Sequence, residues 1–145
     1  MNDTWHDMTA LALGAAIADG DIDPVDLTES YLDRINKEDA DHIVFLAVTK
    51  DRARAEAAAA RKRAQDNLRL GPLDGVPISW KDLFDVAGTP TTAGSDVFRD
   101  SVPEHDAQTV TRATRAGMIC LGKTNLSEFA FSGLGINPTY GTPVN

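Results

Sequence analysis

The sequence predicts an α/β fold with a mixed or mainly parallel sheet flanked by helices, and three observations carry that expectation. Short apolar runs rich in β-branched and aromatic residues, IVFLAV at 43–48, VPISW at 76–80 and MICL at 118–121, read as strands. Between the last two lies AQTVTRATRA, a helical stretch with Gly117 at its stop, giving a βαβ unit whose crossover sets the two strands parallel. The remaining periodic stretches are helical. Only about three strands are visible, so the sheet is expected to be incomplete.

Taken in order, Thr9 to Asp19 suits a short helix stopped by Gly20. Asp23 is the expected N-cap of a second helix with Pro24 in its first turn, and Leu27, Tyr31 and Ile35 recur on one face while Glu29, Asp33, Arg34 and Lys37 point elsewhere. The strand at 43–48 follows. An alanine-rich stretch from Asp51 to about Leu68 has strong helix propensity and ends at Gly71-Pro72. Its basic residues Arg52, Arg54, Arg61, Lys62 and Arg63 are spread around the helix and are expected to form a solvated face. Asp106 is the expected cap of the crossover helix, and Asn125 with Glu128 resembles a capping box opening LSEFAF. Residues 1–70 thus read as a helical region with one strand, and 71–145 as the start of a sheet-based core.

Composition narrows the function classes. The chain has 145 residues, 42% hydrophobic and 25% charged, which fits one ordinary globular domain. Its formal net charge of −8 opposes a nucleic-acid footprint, which needs clustered positive charge. No apolar run approaches the roughly 18 residues of a membrane span, and the N-terminus lacks a signal-peptide pattern, so a cytoplasmic protein is expected. Cys120 sits inside an apolar run and reads as a small buried hydrophobe. His6, His42 and His105 lie far apart without ligand spacing, so neither metal nor cofactor is expected.

The stretch Gly71 to Ser95, GPLDGVPISWKDLFDVAGTPTTAGS, holds the chemistry. A strand runs straight into Lys81, and ligands in open α/β sheets bind beyond the carboxyl ends of strands. Trp80, Leu83 and Phe84 are placed to dry the amine, and burial lowers a lysine pKa towards base function, whereas Asp82 would pair with it and oppose the shift. Lys123, in GKTN at the equivalent edge of the next strand, is the rival. Thr89, Thr91, Thr92 and Ser95 make a hydroxyl-rich loop suited to turn networks or to orienting a substrate. Ser79, Ser127 and Ser132 have no nucleophile-elbow setting, and GLG at 133–135 lacks the rest of a dinucleotide fingerprint.

GPLDGVPISWKDLFDVAGTPTTAGS, the spaced Asp106, Thr109 and Val110, AGMICLGKTNLSEFAFSG and NPTYGTPVN together resemble the N-terminal part of the amidase signature family, over essentially the whole chain. The resemblance implies a large α/β enzyme without cofactor that hydrolyses carbon–nitrogen bonds of small amides, or supplies ammonia from glutamine in a tRNA amidotransferase, through a Ser, cis-Ser, Lys triad. By matching position, Lys81 is the triad lysine. Glu128, Phe129 and Ala130 match part of the substrate floor, Thr91, Thr92, Gly94 and Ser95 match a supporting loop, and Lys123 is structural. The two Gly/Ser-rich segments that carry the family's serines do not occur in this sequence. The expectation is thus an N-terminal fragment, 71–145 being the start of the catalytic core, inactive alone. A homo-oligomer or amidotransferase partner subunits are the associations that go with it. The competing expectation is a short non-catalytic paralogue that binds a partner through its sheet edge.

Overall fold

Local capping chemistry sets the first two helices. The computed structural model describes residues 3–144. After a 3-10 turn at Asp3–Asp7, helix α1 (Ala10–Asp19) starts where the Thr9 side chain accepts a hydrogen bond from the Ala12 N–H, and stops where Gly20 turns left-handed at φ 81°. Asp23 accepts from the Val25 N–H at 2.7 Å to open α2 (Pro24–Glu38), whose Leu27, Leu32 and Ile35 are buried. Strand β1 (Phe45–Val48), helix α3 (Lys50–Gln65), strand β2 (Pro77–Lys81), helix α4 (Gln108–Arg115) and strand β3 (Ile119–Thr124) follow.

The sheet order is β1-β3-β2, with β3 central. Strand β2 lies parallel to β3, placing Trp80 opposite Lys123 and Lys81 opposite Thr124, while β1 runs antiparallel with Ala47 opposite Lys123. The sheet is therefore mixed, with the βαβ unit parallel as its crossover requires. Strand β3 continues to Thr124, past the apolar run that announced it, so Lys123 stands within the strand.

Helix α3 packs on the sheet through alanines. Ala53, Ala57 and Ala60 are buried, and the small side chains of Ala53 and Ala57 bring the helix close to Leu32 and Ile35 of α2 and to Ile119 and Leu121 of β3. A second cluster joins Leu13, Ile17, Leu27 and Val76, and a third gathers Val86, Val110 and Cys120 with Trp80 and Phe84 against it. Cys120 is the buried hydrophobe expected of it.

Two expectations about charge need correction. The basic residues of α3 form a solvated face only in part: Arg54 and Lys62 stay exposed, whereas Arg61 pairs with Asp23 at 2.6 Å and Arg63 with the buried Asp74 at 2.6 Å. Asp106 does not cap α4, whose N-cap is Ala107 without a side-chain bond. Its carboxylate instead accepts both Arg52 guanidinium bonds at 2.8 Å and the Ala87 N–H at 2.9 Å. A bidentate guanidinium outcompetes a helix amide.

That arrangement has a pH signature. The Arg52 hydrogen bonds hold the Asp106 carboxyl below its ordinary value of 3.8, against the opposing effect of partial burial and with help from the Ala87 amide. A carboxyl with a depressed folded-state pKa stabilises the fold above its unfolded value, and that stabilisation is lost as pH falls through the folded one. Asp106→Asn is expected to cost about 1.5–3 kcal/mol at neutral pH. In urea titrations the gap from wild type should narrow as pH drops below 3.8, and a gap constant from pH 7 to pH 3 would refute the linkage.

Candidate active site around Lys81

Lys81 is the last residue of β2, and its Nζ donates to the Asn125 carbonyl at 2.8 Å, just beyond the end of β3. The residue as a whole is exposed, while this bond of the amine is partly buried. The expected drying by apolar neighbours does not occur within these residues, because successive strand residues face opposite sides of the sheet. Trp80 and Phe84 turn into the third cluster, edge-to-face with centroids 5.5 Å apart, and Leu83 is 43% exposed.

Asp82 does not pair with Lys81. Its carboxylate meets Lys123 Nζ at 2.6 Å, and both side chains are inaccessible, at 1% and 0% exposure. The other carboxylate oxygen accepts from the Thr92 N–H at 3.0 Å and the Thr92 hydroxyl at 2.5 Å, while Lys123 also donates to Thr91 Oγ1 and the Pro90 carbonyl. Lys123 is thus fully engaged, not a rival base facing solvent. Sequence reasoning missed this pair, although Asp82 and Lys123, at adjacent ends of two parallel strands, were its signal.

The hydroxyl loop and the 125–130 segment are tied together. Ser95 Oγ donates to Glu128 Oε1 at 2.6 Å, and the Phe129 N–H donates to the Ala93 carbonyl at 2.8 Å. Glu128–Ala130 form one tight turn with non-helical backbone at Phe129 rather than the start of a helix, so the expected capping box is corrected. Asn125 spends its amide on the Ile43 and Gly141 carbonyls, and Glu128 is held by Ser95. Phe129 and Ala130 both take left-handed backbone, at φ 53° and 56°. Consecutive non-glycine residues there store strain that the surrounding bonds must hold. Asn137, which opens the NPTYGTPVN motif, donates to the Gly94 and Leu126 carbonyls at 2.8 Å each and so joins loop, segment and tail.

The arrangement brings Lys81, the Thr91–Ser95 loop and Glu128–Ala130 to one edge of the sheet. Among the described residues, no group of three or more His, Cys, Asp or Glu side chains is placed to hold a metal.

A family model described as Amidase matches residues 26–145. The chain belongs to the amidase signature family. It is 42% identical over 140 residues to a glutamyl-tRNA(Gln) amidotransferase subunit of Chloroflexus aurantiacus, covering 97% of this chain and 29% of that relative. Among solved structures it matches, at TM-score 0.87 and 36% identity, one described as an unexpected vestigial protein complex that reveals the evolutionary origins of an s-triazine catabolic enzyme; the match covers 92% of this chain and 30% of that one. The native peptide amidase of Stenotrophomonas maltophilia matches at TM-score 0.77 and 35% identity, over 84% of this chain and 25% of that enzyme. This amidase-family chain spans 29% of the length of the first curated relatives it matches.

Proposed function

We propose that these residues are the lysine-bearing first part of an enzyme that hydrolyses amide bonds, with Lys81 as the proton acceptor of a Ser, cis-Ser, Lys triad. The observation that carries this reading is the Lys81 amine, placed at the carboxyl end of a parallel strand and held on the Asn125 carbonyl. A neutral amine there would take the nucleophile's proton through the bridging serine, the logic of a Ser-Lys pair. Both serines would come from sequence beyond these residues, within the longer span that the relatives have. Glu128, Phe129 and Ala130 would contribute to the substrate floor, with Thr91, Thr92, Gly94 and Ser95 as the loop that supports it. Residues 71–145 would begin the catalytic core and 1–70 would brace it.

A second reading is favoured by one observation, the 42% identity to a glutamyl-tRNA(Gln) amidotransferase component over nearly the whole chain. In that reading the amide is the side chain of glutamine, the ammonia passes to a charged tRNA, and the chain works in the cytoplasm with partner subunits. No helix among the described residues is long and apolar enough to cross a membrane.

Ammonia release separates these outcomes. The 145-residue chain alone is expected to release none above a buffer blank from glutamine or from simple aliphatic and peptide amides. The same residues continued by a segment with two Gly/Ser-rich stretches are expected to release it. Preference for glutamine together with co-purifying subunits selects the second reading. Lys81-dependent release by the chain alone would overturn the division of the triad.

A further inference from the structure

We propose that the buried Lys123–Asp82 ion pair is a positioning device for the Lys81 amine; this rests on the reading of Lys81 as the proton acceptor. Asp82 directly follows Lys81 and is fixed from every side. Its N–H donates to the Thr124 carbonyl and its carbonyl accepts from the Ala93 N–H, each at 2.9 Å. Its side chain is held by Lys123 at one oxygen and by Thr92 at the other. These partners belong to two different segments, strand β3 and the Thr91–Ser95 loop. The residue after the lysine is therefore locked to both while Lys81 itself lies in register with Thr124.

The pair is an uneconomical way to gain stability alone. Two charges stripped of water lose much of what their attraction returns, and apolar side chains of similar volume are often as stable in such a place. Apolar groups could not supply directed bonds, however. Lys123 Nζ reaches Thr91 Oγ1 at 2.9 Å and the Pro90 carbonyl at 3.2 Å, so the pair ties the loop to the strand end at a fixed distance. It also occupies the carboxylate nearest to Lys81 in sequence. The Lys81 amine is left with the Asn125 carbonyl as its partner, on the residue that follows β3.

The test uses the complete enzyme that contains this chain, with amide hydrolysis and thermal unfolding read in parallel on Lys81→Met, Lys123→Met, Thr92→Val and the double variant Asp82→Asn/Lys123→Met. Lys123→Met should lower Tm sharply, because it strands a buried carboxylate. The double variant, which buries no charge, should recover Tm to within about 4 °C of wild type. Its kcat should nevertheless stay about 10²-fold down with KM nearly unchanged, the cost of an amine misplaced by roughly an ångström. Thr92→Val keeps both charges and serves if the double variant does not fold; its kcat should fall about tenfold. Wild-type kcat in the folded double variant, or in Thr92→Val, would reduce the pair to a structural role. Full activity in Lys81→Met would instead remove the underlying reading of Lys81, a separate failure.

Discussion

Replacing Lys81 with methionine is expected to lower kcat/KM for amide hydrolysis about 10⁴- to 10⁶-fold in the enzyme that contains this chain, the loss seen when one member of a catalytic triad is removed. The fold should hardly register the change. Lys81 is exposed and makes one side-chain hydrogen bond, to Asn125, whose loss is worth about 0.5–1.5 kcal/mol. Methionine retains the unbranched stem and removes only the amine. Steady-state kinetics with urea unfolding on the same preparation checks both halves. A fall in kcat/KM of less than about tenfold would mean that the proton goes elsewhere.

The second large effect concerns stability. Gly122→Ala is expected to cost at least about 3 kcal/mol, against a total of about 5–15 kcal/mol for a domain of ordinary stability. Gly122 lies in β3 at φ 154°, opposite Ser79, where the register of β2 against β3 slips by one residue. A Cβ built there would stand 2.2 Å from the Ala47 carbonyl oxygen and 3.0 Å from Val48 Cα. Both are backbone atoms of β1 and cannot swing aside as a side chain would, so the β1–β3 ladder must open. Gly133→Ala is the control, because no atom lies within 4 Å of its added Cβ, and it should stay within about 0.5 kcal/mol of wild type. A urea midpoint for Gly122→Ala matching that of Gly133→Ala would show that β1 gives way freely.

What the sequence revealed divides along a physical line. Thr9, Gly20, Asp23 and Pro24 act on backbone groups within a few residues of themselves, and the helix ends they announce are where the structure has them. The parallel pairing of β2 and β3 followed from chain connectivity, another local constraint. Asp106 and Asn125 carry the same capping chemistry, yet distant groups claim them, Arg52 for one and the Ile43 and Gly141 carbonyls for the other. Pairs such as Lys123 with Asp82 close contacts far apart in sequence, and no periodicity announces them. For the site, the resemblance singled out Lys81, and the spacing of strands supplied the shared edge. The bonds that hold Ser95 to Glu128 and Asn137 to Gly94 needed coordinates.

Strand β2 pairs with β3 along one side, and among the described residues its other row of backbone groups has no strand beside it. The strand that presents Lys81 is thus also a strand onto which more sheet can be laid, with Pro77 at its start blunting only one end. Thermodynamic linkage then joins two properties that would otherwise be measured separately. A segment that pairs there only in the folded state, present at 100 times its dissociation constant, adds about 2.7 kcal/mol to the stability of the chain. Conversely, a variant that loosens β2 from β3 weakens that segment's binding by its share of the same free energy. The order of the Lys81 strand and the affinity of whatever extends the sheet are one quantity seen from two sides.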